Sequence, residues 1–387
     1  MMQALLDVDG FRNGSSMRGK GFTYQQVISP TGVSHTTEDD VIVVGGGPGG
    51  LTAAFFLQHL SKSEMNVSVV ERLDGPRYRR YHRMCGEGIS RRAFRNLGPL
   101  EPVGVVNEIH RIEIRWPSGA VSGYNDKGYI LDRTILLEDL RDRFRDNGGE
   151  IVDGSVSSTR ESPDGYEIEL RSGEMLSSRY LIGADGSCSL VRRNAFQEEP
   201  PCRTVLQQYL IKGDHDPNII TFIPDCRYGG EYRWEFPCGE NVKVGFPAGT
   251  DRVDGYIEKQ SRPMCFGGLS RIVKDRALLI GDAAAQANPL TMGGIRAAME
   301  AGRKAAESIL ARNLGMYQRW WDRSGFNARR YLNAHRRAEE LDNDYLSRIS
   351  KPFSSSLGIV QHIYNYIRNP KDRSLYTSYV TLPLFGW

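Results

Sequence analysis

Two kinds of hydrophobic pattern succeed one another along this chain of 387 residues. The first is the continuous apolar run. Val41-Ile42-Val43-Val44 is β-branched throughout, which predicts a strand buried on both faces of a parallel sheet. It leads into a glycine-rich turn at Gly45–Gly50, an apolar, alanine-containing helix over Leu51–Leu60, and a second buried strand, Val67–Val70, that ends in Glu71. That is a complete βαβ unit. Tyr180–Ala184 and Ala277–Ile280 have the same character, and lead into Gly-Ala-Asp and Gly-Asp respectively. The second pattern is alternation. Ile109–Trp116, Tyr166–Leu170, Tyr232–Phe236 and Val242–Phe246 switch between apolar and polar positions, as antiparallel strands with one wet face do. Helical spacing predicts Asp132–Asn147, closed by Gly148-Gly149, a helix from about Gly293 to Leu310, and a charged, helix-rich stretch to about Arg368. Residues 1–38 are polar, without period, and read as a flexible extension.

Composition narrows this picture by exclusion. A net charge of +3, without a lysine-rich run, gives no support to nucleic-acid binding. Cys85, Cys188, Cys202, Cys226, Cys238 and Cys265 show neither CxxC nor Cys/His ligand spacing, which predicts reduced thiols in a cytoplasmic protein and no metal site. No segment approaches the roughly 18 consecutive apolar residues that a membrane span needs. Asp7 and Asp9 stand where a secretion signal would be apolar. Leu357–Ile367 and the aromatic tail Tyr376–Trp387 have the make-up of a surface resting on a membrane, or of a helix and strand packed on the domain.

The chemistry begins at Gly45-x-Gly47-x-x-Gly50. It follows a strand, opens a helix, and has an acid, Glu71, about twenty residues on. The first glycine allows the turn, the second lets a pyrophosphate approach the backbone, and the third lets helix and strand pack closely. Pro48 and Gly49 complete the turn. The helix start offers free amides to the phosphates, and Glu71, with Arg72 beside it, faces the ribose. Asp185 and Asp282, each at the end of a buried strand beside a glycine, are placed to accept from sugar or ribityl hydroxyls. Two such aspartates in this order after a dinucleotide turn resemble the DG and GD motifs of flavoproteins shaped like p-hydroxybenzoate hydroxylase, which points to FAD. A second GxGxxG for a nicotinamide is absent, so the reductant is expected to dock transiently or to be a protein.

Further segments narrow the resemblance. Gly281-Asp282-Ala283-Ala284, Asn288-Pro289-Leu290-Thr291, Gly293-Gly294-Ile295, Ala298-Met299 and Gly302 together resemble the geranylgeranyl reductase family, with Met292 standing where that family has glycine. Arg83-x-Cys85-Gly86-Glu87-Gly88-Ile89 is similar to the segment that places a cysteine beside the isoalloxazine. Tyr232-x-Trp234-x-Phe236-Pro237 is similar to the segment lining the prenyl cavity, and Tyr129-x-x-x-Arg133 to the one carrying a flavin-contacting arginine. The same aromatic stripe is also what ordinary sheet core looks like.

The expected architecture is α/β (α+β). A Rossmann-type FAD-binding domain is assembled from 39–108, 127–200 and 262–312. An antiparallel-sheet substrate domain is inserted over 109–126 and 201–261, and 313–387 form a helical C-terminal region. The resemblance implies an FAD-dependent reductase that saturates C=C bonds of a polyprenyl chain on a lipid. Reduced nicotinamide or ferredoxin would supply the electrons, Cys85 would stand nearest the chemistry, and contact with a membrane would be peripheral. The rivals are a flavin monooxygenase or halogenase, an electron-transfer flavoprotein serving a quinone, and an inactive lipid carrier. The absence of cysteine after Cys265 removes the iron–sulfur version of the second.

Overall fold

The computed structural model describes residues 39–354 and 358–387, without the side chains of 352–354 and 358–362; the expected extension over 1–38 lies outside the described residues. Two eight-stranded sheets organise the described residues. In the first, Asp39–Val44 runs parallel between Val67–Glu71 and Met175–Gly183, and Ala277–Leu279 follows parallel on the far side of the latter. The registers Val44↔Gly183 and Leu279↔Gly183 bring three carboxyl ends side by side, the place where ligands bind in open α/β sheets. The β-branched runs are the reason for this sheet: Val41, Ile42 and Val43 are wholly buried, as strands covered on both faces must be. Tyr166–Leu170 is antiparallel and belongs here, within the stretch 127–200 expected for this domain, in a flap formed with Val156–Glu161 and Met175–Gly183.

The helix after the glycine turn is Pro48–Ser61, with proline at its first position, where the missing N–H costs nothing. The Ile295–Leu310 helix crosses it so closely that a Cβ on Gly302 would sit 2.5 Å from the Gly49 carbonyl oxygen. Arg133–Asp146 covers the same side, capped by the Asp132 carboxylate on the amides of Thr134 and Ile135.

The second sheet runs in the order Glu258–Phe266, Cys202–Lys212, Asn241–Pro247, Tyr232–Cys238, Ile219–Pro224, Val105–Arg115, Val121–Leu131, Gly88–Ser90. It is antiparallel except where Ile219–Pro224 lies parallel to Val105–Arg115. The hairpin here extends beyond the alternating stretch legible in the sequence, to Val105 and Leu131, because bulges near Val105/Asn107 and Ile109/Arg111 break the alternation at its ends. The C-terminal region is helical, as its charge pattern implied, but the aromatic tail forms neither an extended strand nor a free end. Arg373–Phe385 is a helix, and Trp387 is buried against the second sheet, its indole N–H donating to Asp126 Oδ2 at 3.1 Å. Among the described residues no helix is long and apolar enough to cross a membrane.

Candidate active site

A cavity of about 450 Å3 runs between the two sheets, from the carboxyl ends of the parallel strands to the aromatic face of the second sheet. Its first end is made by backbone. Gly45 has φ +104°, and a Cβ there would lie 2.4 Å from the Ala184 carbonyl oxygen, so glycine is required. Gly50 meets the Gly45 carbonyl at 2.0 Å in the same sense and supports the turn without lining the cavity. Gly47, by contrast, has open space before it, with His82 the nearest neighbour at 3.8 Å. This cradle fits a pyrophosphate in form, at the start of a helix whose first amides have no partner within the helix. Glu71 is held by the Gly46 amide (2.7 Å) and the Leu73 amide (2.8 Å), with lone pairs left for ribose hydroxyls, and Arg72 lines the same end.

Further along, Asp185 and Asp282 both face the cavity, but in different ways. Asp185 turns its carboxylate onto Ser189 and the amides of Leu190 and Val191, so it fixes its own loop; burial nevertheless raises its pKa. Asp282 accepts from Ser187 Oγ at 3.0 Å and pairs with Arg262 Nη2 at 3.7 Å. Gly281, Gly293, Gly294 and Ile295 line the wall, where the Ile295–Leu310 helix presents its N-terminus. Met292 has φ +50°, the left-handed backbone that favours glycine. The loop closes nonetheless, through Asn288 Oδ1 on the Leu290 amide and the Met292 amide on the Asn288 carbonyl. Arg133 is buried and donates to the carbonyls of His82 (2.7 Å) and Met84 (3.3 Å), tying its helix to the Cys85 segment.

The other end is made by side chains. Tyr232, Trp234 and Phe236 share one face of a strand and line the cavity with Leu206, Ile220 and Phe222. Cys85 and Gly86 lie where the two ends meet, and the Phe236 ring would touch a Cβ on Gly86 at 2.6 Å. Besides Gly50, three expected residues stand outside the lining. Arg83 turns outward toward Glu258 at 4.0 Å, Pro237 faces away from its aromatic neighbour by strand parity, and Pro289 is buried behind the loop it shapes. Two buried polar atoms on the cavity wall lack a protein partner, His82 Nδ1 and Trp234 Nε1. Burial, reinforced by Arg133, Arg262 and Arg141, holds His82 well below the ordinary histidine range, so it is neutral. The open cradle, the prepared acid and these unpaired atoms fit a dinucleotide bearing a planar redox head.

The chain is 33% identical over 311 residues to digeranylgeranylglycerophospholipid reductase 1 of Methanopyrus kandleri, covering 70% of this chain and 80% of that protein. The chain belongs to the digeranylgeranylglycerophospholipid reductase family. A second member, digeranylgeranylglycerophospholipid reductase 2 of Methanothermobacter thermautotrophicus, is 30% identical over 79% of this chain and 89% of its own length. No protein-family model matches the chain. Among solved structures, a geranylgeranyl bacteriochlorophyll reductase-like protein of Thermoplasma acidophilum has the same fold at a TM-score of 0.71. That likeness holds at 20% identity and covers 88% of this chain and 98% of the other. PqsL of Pseudomonas aeruginosa shares the fold at a TM-score of 0.63 and 18% identity, over 81% and 99%.

Within this reductase fold, several cavity residues escaped the sequence reading. Arg262 and Met264 alternate along Glu258–Phe266, a strand whose pattern is blurred by polar positions. Glu87 was visible only as a spacer in the cysteine motif. Trp387 had no local signal at all, because its place in the wall depends on a glycine, Gly128, in a distant hairpin.

Proposed function

We propose that the protein is an FAD-dependent reductase that saturates C=C bonds of a geranylgeranyl chain carried on a glycerolipid. The observation that carries this reading is the continuity of one cavity from the dinucleotide cradle, past Cys85, to the aromatic wall of Tyr232, Trp234 and Phe236. Gly45, Gly47, Pro48, Gly49, Glu71 and Arg72 hold the ADP half. Arg133, Asp282 and the Gly293–Ile295 helix start lie along the flavin, and bound FAD supplies the hydride. An isolated trisubstituted alkene has no carbonyl to polarise it, so addition of hydride must be matched by a proton in a water-poor site. The aromatic faces stabilise cationic character at the tertiary carbon. Cys85 is the proton donor in this reading. The names of the relatives, which specify digeranylgeranyl glycerophospholipids, support the substrate class. The electron donor is reduced nicotinamide or ferredoxin. Exposed Ile363, Tyr364 and Ile367, followed by Arg368, Lys371 and Arg373, suit peripheral contact with an anionic membrane.

The test is the mass of a digeranylgeranyl glycerophospholipid after anaerobic incubation with FAD-loaded protein and dithionite. Products heavier in steps of two hydrogens are expected, and are lost in Cys85→Ala. An unchanged mass with FAD bound and reduced overturns the reading, and substrate-dependent oxygen uptake would then favour a monooxygenase.

A further inference from the structure

Cys85, Gly86 and Glu87 form a turn held by the second sheet and by the Arg133–Asp146 helix. Glu87 has φ +62°, a conformation that a non-glycine residue keeps only when its surroundings enforce it. Its backbone carbonyl accepts from the Leu131 amide at 3.1 Å, and its Oε1 accepts from the Arg133 amide at 3.1 Å. Its Oε2 pairs with the ammonium of Lys243, and the two side chains are 4% and 7% exposed. Lys243 reaches this point because its strand pairs it with Phe236, whose ring lies under Gly86 and Gly88. Glu87 itself lines the cavity.

A buried ion pair is a poor stabilising device, since desolvating both charges offsets most of their attraction, and apolar replacements are often as stable. Its position two residues from Cys85 calls for another reason. We infer that Lys243 and Glu87 are a proton relay that recharges Cys85 after each alkene reduction, an inference that rests on the reductase reading above. The π bond breaks as hydride from reduced flavin forms one C–H bond and the Cys85 thiol proton forms the other. Cys85 is left as thiolate and the flavin is oxidised. The Lys243 ammonium then passes its proton through the Glu87 carboxylate to the thiolate, and the neutral amine recovers a proton from water. Lys243 is faced by Glu87 and Cys85 from the turn, by Arg83 from the same segment and by Glu258 from the neighbouring strand; burial pulls its ammonium from the ordinary lysine range down to about 8. Cys85 lies within electrostatic reach of Arg133 and Arg262 as well.

The experiment uses FAD-loaded Lys243→Gln, Glu87→Gln and the double variant, and follows alkylation of the Cys85 peptide by iodoacetamide across pH together with lipid saturation. Removing the lysine cation should make alkylation at pH 7 about tenfold slower, and removing the carboxylate about tenfold faster, with the double variant between them. Saturation should fall at least about tenfold in all three, because each breaks the relay. Loosening of the turn alone would move both single variants in the same direction. Unmoved alkylation profiles, or undiminished saturation in Glu87→Gln, overturn the relay while leaving the reductase reading intact. If Lys243→Gln does not fold, Glu87→Gln and the double variant still decide it. A wild-type protein with reduced flavin that leaves the lipid mass unchanged removes the reductase reading and the relay with it.

Discussion

The two ends of the cavity are built by opposite means. At the nucleotide end the contacts are peptide groups: the Gly46 and Leu73 amides on Glu71, and the Leu190 and Val191 amides on Asp185. At the apolar end the wall is made of rings set edge to face, Phe222 against Tyr232 at 4.9 Å and against Phe236 at 5.4 Å. Peptide geometry leaves almost no freedom, whereas a wall of side chains can be recut one residue at a time. The first end should therefore fail abruptly on substitution, and the second should change its preference gradually.

The largest effect is expected at the turn. Gly50→Ala puts a methyl 2.0 Å from a backbone oxygen that has nowhere to go, so the strand–helix junction must open. Overpacking of this kind costs about 3 kcal/mol, and FAD affinity should drop about 100-fold or more. Fluorescence titration of the apoprotein with FAD measures it. Retention of wild-type affinity would mean that the turn is not the dinucleotide cradle.

Trp234→Ala tests the other side of the comparison. Truncation of a buried tryptophan costs about 3 kcal/mol, but FAD affinity should stay within about threefold while KM for the lipid rises about tenfold. Trp234→Phe restores the packing and isolates the unpaired indole N–H. Equal losses of flavin and lipid affinity in Trp234→Ala would erase the distinction between the two ends.

Legibility follows the same division. Gly45–Gly50 and Glu71 could be read because a phosphate-binding turn and its acid follow one another at short spacing on a βαβ unit, and Asp185 and Asp282 because each follows a buried apolar run beside a glycine. The aromatic stripe was legible by parity, though parity alone does not separate a cavity wall from core. Trp387 and Lys243 were not legible. Each matters through one distant partner, Asp126 and Glu87, and no local pattern records a contact made across the fold. The same holds for the hairpin ends, where bulges interrupt the alternation that a reader relies on.

Trp387 offers a smaller and more selective change. Together with Tyr232, Phe222, Thr291 and Gly386 it separates the main cavity from a second, mainly apolar one, lined also by Ile112, Ile114, Tyr379 and Leu382. Trp387→Ala should join the two, leave FAD binding unchanged, and shift preference toward longer prenyl chains by about fivefold, a change of about 1 kcal/mol. Competition between lipids of two chain lengths reads it directly, and an unchanged ratio would mean that the wall does not measure length.

The last effect concerns stability and lies behind that wall, where two groups shifted by burial titrate with opposite slopes. Burial pushes His335 down from 6.5 to about 4, and pushes Glu231 up from 4.5 to about 7. For His335 the folded form resists a proton that the unfolded chain accepts, so stability present above pH 6.5 is lost as pH falls toward 4. For Glu231 the folded form holds a proton that the unfolded chain releases, so stability present below pH 4.5 is lost as pH rises through 7. Between these limits the two slopes have opposite sign and similar size, so the combined contribution of His335 and Glu231 is nearly flat from pH 7 to 5. Glu231→Gln removes one of them. Urea unfolding of variant and wild type side by side should then show the stability gap between them shift by about 2 kcal/mol from pH 7 to 5, the share Glu231 contributes over that interval. A gap that does not move with pH would show that Glu231 is not held protonated by its burial, and that the apolar end tolerates charge as readily as the nucleotide end does.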